Sequence, residues 1–242
     1  MNLNWKRLLT LKRNDVLGLD IGSSSVKIVQ LGRNGSGYFV KAAGICEIQD
    51  NAPDDSGRRD LSVVQAIQNC FSLVGVRTRM VVTSVCGPEV AVRNFTFPKL
   101  PKDELEGAVR LEASQVCPFS VEDGVVDYQI VPNGDERVRG IFVAATNKAI
   151  RQKERFVKSA SLRNVLMDVD GLALLNCFNQ CAKPDGDGTI AIVNVGDAYT
   201  TVVVSGLGGL PFIRDMTCAG AEIVEQIAQE RDMPAAQVRR IL

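Results

Sequence analysis

The chemistry of this chain is concentrated in Leu19-Asp20-Ile-Gly22-Ser23-Ser24-Ser25-Val-Lys27, where an acid, a glycine, three successive hydroxyls and a lysine share one short stretch. The apolar run Val16–Asp20 precedes the small residues, and a second run, Ser25–Leu31, follows them. The pattern predicts strand, tight turn and strand. A glycine lets the backbone come close to a ligand, and such a turn offers N–H groups and hydroxyls to an anion. Asp20 ends the first strand, where a carboxylate can hold a metal-bound water. Lys27 returns on the second strand as a compact positive charge. These residue types suit a phosphate cradle. They also suit an ordinary polar β-hairpin, because Gly and Ser are standard turn residues, and the stretch alone leaves both readings open.

The rest of the composition removes several other chemistries. The 242 residues contain no histidine, which excludes His-ligated metals, His general bases and Ser-His or Cys-His nucleophiles. The seven cysteines form no C-x-x-C pair. Cys177 and Cys181, four apart on an expected helix, are too few ligands for zinc. All seven read as small buried hydrophobes of a reducing compartment. Lys plus Arg and Asp plus Glu balance at 28 each, so no global field argues for nucleic acid. No apolar run approaches the ~20 residues that span a bilayer, and no signal-peptide pattern opens the sequence; a cytoplasmic chain is expected. Residues 1–14 place Lys6, Arg7, Lys12 and Arg13 among Trp5, Leu8, Leu9 and Leu11. This pattern suits a membrane surface or a loosely docked tail, and the tail is the expectation.

The elements that must position the serine turn follow in order. After the hairpin comes a strand at Tyr38–Gln49, a polar loop over residues 50–60, and a helix at Leu61–Leu73 with Leu61, Val64, Ile67, Gln68 and Phe71 at helical spacing. Arg79–Cys86 reads as a buried strand. From residue 87 the rhythm changes. A strand at Ala91–Thr96, a helix at Lys102–Val116, strands at Val125–Val131 and Arg137–Ala145 around Asn133-Gly134, a helix at Asn147–Ala160 and a strand at Asn164–Asp168 suggest an inserted α+β subdomain. In Lys102–Val116 the apolar Leu105, Val109, Leu111 and Val116 make either core or part of a peptide groove. The helix Gly171–Cys181 and the turn-rich joint Lys183–Gly188 lead back to the opening pattern. Strand Thr189–Val195, turn Gly196-Asp197-Ala198, strand Tyr199–Ser205, turn Gly206–Gly209, strand Leu210–Met216 and helix Ala221–Arg231 repeat its architecture, not its residues. Two such halves facing each other would hold one phosphate chain between their turns.

Leu19–Lys27 resembles the phosphate-1 signature of actin-like ATPases, and Val193-Asn-Val-Gly-Asp-Ala-Tyr-Thr-Thr201 is similar to their phosphate-2 signature. Phe97-Pro-Lys-Leu-Pro-Lys-Asp-Glu-Leu-Glu106, Leu111-Glu-Ala-Ser-Gln-Val-Cys-Pro-Phe119, Phe142–Thr146 and Met167–Leu174 resemble the type IV pilus assembly family PilM, an FtsA-like branch of that superfamily. The resemblance implies an α/β actin-like ATPase fold: two RNase-H-like halves at residues 15–86 and 169–242, an inserted subdomain at 87–168, and a basic segment at 1–14. It also implies ATP and Mg²⁺ as ligands. Gly22, Ser23, Ser24 and Ser25 would face the phosphates, Lys27 would neutralise them and Asp20 would order Mg²⁺ through water. Asn194, Gly196, Asp197 and Ala198 would close from the other half. The implied role is a cytoplasmic, ATP-binding adaptor at the inner face of the inner membrane. It would hold the N-terminal tail of a PilN-like protein in the inserted subdomain and meet the membrane only through that partner. Self-association is left open, and nucleic acid is not an expected ligand.

Three departures from the family pattern bear on that role. Asn194 stands where an Asp is usual, and loses the charge that attracts hydrated Mg²⁺; Asp197, three residues on, is a possible replacement. Asp170 stands where relatives carry Glu, and is the candidate catalytic carboxylate. The sequence ends at Leu242, before the glycine pair that grips adenosine, so the second half reads as incomplete. A filament-forming FtsA-like protein and a small-molecule kinase of the same superfamily are the alternatives. The kinase lacks a convincing carboxylate base, since Asp168 and Asp170 already fit the PilM pattern.

Overall fold

A computed structural model describes residues 16–35, 37–49, 56–131, 137–182, 188–206 and 209–241. The basic segment 1–14, most of the loop at 50–60, the Asn133-Gly134 turn and most of the Lys183–Gly188 joint lie outside the described residues. The described chain divides into two units: residues up to Ser84 with Gln152–Asp168, and Val85–Arg151 with Val169 onward.

The first unit is a five-stranded sheet with helices packed on it. Its strands are β1 (Val16–Ile21), β2 (Ser25–Asn34), β3 (Gly37–Glu47), β4 (Met80–Val85) and β8 (Arg163–Val169), in the order β3-β2-β1-β4-β8. The hairpins β1–β2 and β2–β3 are antiparallel, and β1 pairs parallel with β4. Alternation along the strands buries Leu17, Leu19 and Ile21 of β1 and Val26 and Ile28 of β2, leaving Asp20 and Lys27 on the opposite, exposed face. Helix α1 (Ser56–Val74) crosses from β3 to β4 and packs through Val63, Ala66, Ile67, Cys70 and Phe71. The expected stripe was turned by part of a helical turn, for Leu61 and Gln68 are exposed. Helix α3 (Asn147–Ser159) completes the core with Phe156 and Val157.

The strand at 164–168 was expected inside the inserted subdomain. It is instead the edge of this five-stranded sheet: the Arg163 amide bonds to the Arg79 carbonyl at 2.8 Å, and β8 lies beside β4. An apolar strand this short is completed by whichever sheet edge has matching free amides, which sequence spacing does not reveal.

The second unit holds two three-stranded sheets. One has β5 (Val90–Pro98), β6 (Gly124–Val131) and β7 (Arg137–Thr146) in the order β5-β7-β6, backed by helix α2 (Lys102–Val116). Its core joins Leu105, Val109 and Ala113 of α2 to Phe95 and Phe142, with Phe95 stacked on Phe97 at 5.0 Å. The α2 stripe therefore splits. Leu105 and Val109 are core, whereas Leu111 is 62% exposed and Val116 is 39% exposed. The other sheet is β11-β10-β9, formed by β9 (Ile190–Val195), β10 (Thr200–Ser205) and β11 (Phe212–Met216). Helices α4 (Asp170–Cys181), α5 (Gly220–Arg231) and α6 (Ala235–Ile241) complete the unit. Strand β11 lies against β5, where Asn94 donates to the Pro211 carbonyl at 3.2 Å. Among the described residues no helix is long and apolar enough to cross a membrane.

Leu105→Ala removes a buried side chain and is expected to cost ~2–5 kcal/mol in urea unfolding. Leu111→Ala, on the same helix, stays within ~0.5 kcal/mol.

Candidate functional site

The serine turn is closed by its own backbone. The Gly22 N–H donates to the Ser25 carbonyl at 3.0 Å, and a Cβ at residue 22 would stand 3.0 Å from that same oxygen. Any larger residue therefore has to push the turn open, so the glycine is a requirement of close approach. The Gly22 amide is also spent inside the turn and is not offered to a ligand, contrary to the expected cradle. Neighbouring elements hold the loop. Ile48 N–H donates to the Ser24 carbonyl at 2.8 Å, Arg59 of α1 to the Ser23 carbonyl at 3.3 Å, and Lys153 of α3 to the Ile21 carbonyl. Neither Arg59 nor Lys153 was marked by the sequence, because each reaches the turn from a distant element.

Asp20 and Lys27 are direct cross-strand partners, and Lys27 Nζ donates to Asp20 Oδ2 at 2.8 Å. Both side chains are about half exposed (51% for Lys27, 49% for Asp20). The two charges expected to act separately on a phosphate and on a metal-bound water thus lean on each other. An exposed pair of this kind adds about 0–1 kcal/mol, so a ligand can part it at small cost.

The second turn repeats the first. Gly196 N–H donates to the Tyr199 carbonyl at 3.0 Å, and a Cβ at 196 would lie 2.7 Å from that oxygen. Register extends the likeness: Asn194 faces Thr201 across β9–β10, as Asp20 faces Lys27 across β1–β2. The outcome differs, because this turn sits on the start of α5. The Gly196 and Asp197 carbonyls accept from Gly220 and Ala221 at 2.8 and 2.9 Å. Asp197 Oδ1 accepts from Arg239 of α6 at 2.9 Å, so this carboxylate has a cationic partner of its own. Ala198 is half-buried within the turn and Asn194 is exposed on β9.

Behind the turn lies a group that sequence reading missed. Asp215 of β11 accepts from Thr201 Oγ1 at 2.6 Å and from the Gly87 amide at 2.8 Å. It ties the segment just before β5 to the core of the β9–β11 sheet. Nothing in the local sequence around Asp215 signals this, since its partners are 14 and 128 residues away.

Asp170 is the first residue of α4, half-buried, where a carboxylate suits the positive end of the helix. Among the described residues no group of three or more His, Cys, Asp or Glu could hold a metal ion. A magnesium ion needs no such cage, as it is commonly held by one carboxylate, phosphates and waters. Asp20 and the serine hydroxyls are oxygen donors of that kind, and the Lys27 ammonium is suited to a phosphate oxygen and not to the metal. The cysteines are not uniformly buried as expected. Cys70 is buried, Cys46, Cys86 and Cys117 are half-buried, and Cys177, Cys181 and Cys218 are exposed. Burial, with the neighbouring Cys46 thiol, pushes the Cys70 thiol up to about 11.

The sequence profile of the family described as type IV pilus assembly protein PilM matches residues 18–240. Among solved structures, the PilM–PilN type IV pilus biogenesis complex superposes with a TM-score of 0.80 at 26% identity, over 95% of this chain and 69% of that one. The cytoplasmic domain of EpsL, an inner membrane component of the type II secretion system of Vibrio cholerae, gives 0.53 at 15% identity, over 83% of this chain and 71% of that one. Ethanolamine utilization protein EutJ from Carboxydothermus hydrogenoformans gives 0.52 at 12% identity, over 93% and 60%. At such identities the last two show the fold alone, and that α/β fold is the actin-like ATPase fold expected from sequence.

Thr201→Val takes the hydroxyl from Asp215 and is expected to lower stability by ~1–3 kcal/mol in urea unfolding, with Thr201→Ser restoring most of it. In a thiol-reagent time course at pH 8, Cys177, Cys181 and Cys218 should react first. Cys70 should stay unmodified until the protein unfolds, because its raised pKa keeps the thiol neutral well above that pH.

Proposed function

The chain belongs to the family of the type IV pilus assembly protein PilM, and on that premise we propose that it is a cytoplasmic, ATP-binding adaptor of type IV pilus assembly. The observation that carries this reading is the family match over residues 18–240 together with the likeness to the PilM–PilN complex. The adaptor works at the inner face of the inner membrane and holds the N-terminal tail of a PilN-like membrane protein.

The nucleotide phosphates are assigned to the turn Gly22–Ser25, with Lys27 supplying positive charge. Asp20 holds Mg²⁺ through water, and Asn194 gives the second turn an amide oxygen in place of a carboxylate. Bound Mg²⁺ would neutralise phosphate charge and fix the geometry of the phosphate chain. Lys27 would turn from Asp20 to a phosphate oxygen, and Asp20 would be the residue to hold a water of Mg²⁺. Phosphoryl transfer asks mainly for positioning and charge neutralisation. With an amide at 194 and Asp197 held by Arg239, the chain's own groups favour binding over turnover. Asp170 is the carboxylate available to a water.

The partner tail is assigned to the inserted subdomain. Its free edge, β6, exposes Val125 and Ile130, and α2 exposes Leu111 and Val116. An edge strand beside exposed apolar side chains is suited to an extended or amphipathic peptide.

Titration with a fluorescent ATP analogue should show Mg²⁺-dependent binding that Lys27→Met weakens about tenfold or more, the loss of one charge-assisted contact. A PilN-type N-terminal peptide should bind the same chain unaffected by Lys27→Met and weakened by Leu111→Asp. No peptide binding at all removes the adaptor reading. Nucleotide affinity unchanged in Lys27→Met removes the phosphate assignment.

A further inference from the structure

Acids and cations are unevenly spread along the strand axis of the first unit. The end carrying the serine turn holds both signs, Asp20, Glu47 (which pairs with Ser25) and Asp60 beside Lys27, Arg58, Arg59 and Lys153. At the opposite end β2 runs past the start of β1, since Leu17 pairs with Gln30, and β4 begins level with β1, since Val16 pairs with Met80. Arg163 opens β8 beside Arg79, and the C-terminus of α3 reaches the same place. That end gathers the exposed cations Arg33, Lys41, Arg77, Arg79, Lys158 and Arg163. Among the described residues it carries no acid, and on α3 the acid Glu154 stands a turn back from Lys158.

Apolar side chains are exposed at the same end. Gly44 of β3 lies against Val74, the last residue of α1, so the β2–β3 hairpin from Leu31 to Lys41 projects past the helix that covers the rest of the sheet. Leu31, Tyr38, Phe39 and Val40 on that projection are exposed, as is Leu73 at the helix end. Arg33 stacks over the Tyr38 ring at 5.6 Å, and Arg79 lies 5.9 Å from the Phe71 ring. A depression of about 450 Å³, lined by Phe71, Ser72, Gly75, Arg79 and Ser161, opens there.

We propose that this end of the first unit, with the hairpin Leu31–Lys41 at its tip, docks directly on an anionic phospholipid bilayer. Cations at the surface of an anionic leaflet contribute about 1 kcal/mol each, and amphipathic aromatic side chains settle at the headgroup level. The aliphatic Leu31, Val40 and Leu73 decide between a membrane and a nucleic acid. They gain by entering the acyl boundary, whereas a phosphate backbone gives them nothing. The chain enters this end at Val16, preceded in sequence by Lys6, Arg7, Lys12 and Arg13 against one acid, Asp15. The contact adds to attachment through a partner's tail and does not depend on it. Weak contacts of two kinds on one membrane combine by effective concentration.

The test is co-sedimentation of the full chain with vesicles of phosphatidylcholine alone or with phosphatidylglycerol, at low and high salt. Binding should require the anionic lipid and fall away at high salt, where the Debye length shrinks to a few ångströms. Arg77→Gln/Arg79→Gln should lower the partition coefficient about tenfold or more, and Val40→Asp should lower it independently. Both variants change exposed residues, and unaltered thermal unfolding confirms their folding. Neutralising Lys6, Arg7, Lys12 and Arg13 together should leave binding to anionic vesicles above that to neutral ones. The proposal is overturned by equal binding to both vesicle types, by wild-type partitioning of both variants, or by complete loss on neutralising the four N-terminal cations. Binding of DNA without binding of vesicles overturns it as well.

Discussion

A glycine amide bonded to the carbonyl three residues on is the constraint that both candidate phosphate turns depend on. At Gly22 and at Gly196 a Cβ would sit within 3.0 Å of that oxygen, so the residue type follows from the closure itself. Once closed, each turn sets the register of its hairpin, and register decides which side chains meet. In β1–β2 it brings Asp20 against Lys27; in β9–β10 it brings Asn194 against Thr201. The same turn thus yields a charged pair in one unit and a polar, uncharged pair in the other.

What surrounds each turn then separates them further. The first is steadied by long cationic side chains from α1 and α3, which hold carbonyls and leave the Asp20–Lys27 face open. The second is seated on a helix start, and its acid is engaged by Arg239. One turn can exchange its internal ion pair for a ligand, while the other is committed to its own scaffold. The proposed role draws on this asymmetry, with a nucleotide bound at the first turn and the work done through surfaces elsewhere.

Those surfaces arise from the ends and edges of the sheets. Helices are shorter than the strands they cover, so strand tips such as Leu31–Lys41 carry exposed side chains on both faces. Edge strands such as β6 keep unpaired backbone groups. Buried alternation holds the core of each unit through residues such as Ile28, Val81 and Phe142, and the same alternation leaves the functional charges outside.

By itself the sequence determined the elements and the candidate site's core. The bounds of β1, α2, β6 and α5 fall within a residue or two of the pattern's; Asp20 and Lys27 lie on the strands, and Gly22 and Gly196 in the turns, where the pattern puts them. Period-two and period-3.6 burial are local properties, and a tight turn needs glycine locally, so both are written in adjacent residues. Only the tertiary structure decided that β8 completes the five-stranded sheet, that Leu111 faces outward while Val109 is buried, and that Cys177, Cys181 and Cys218 are exposed. It alone decided that Lys153, Arg59 and Asp215 serve the turns, that Asp197 belongs to Arg239, and that the cations of one end meet. Each of these depends on which distant element supplies the partner, and the energy of a contact between residues far apart in the chain leaves no period in the sequence of either.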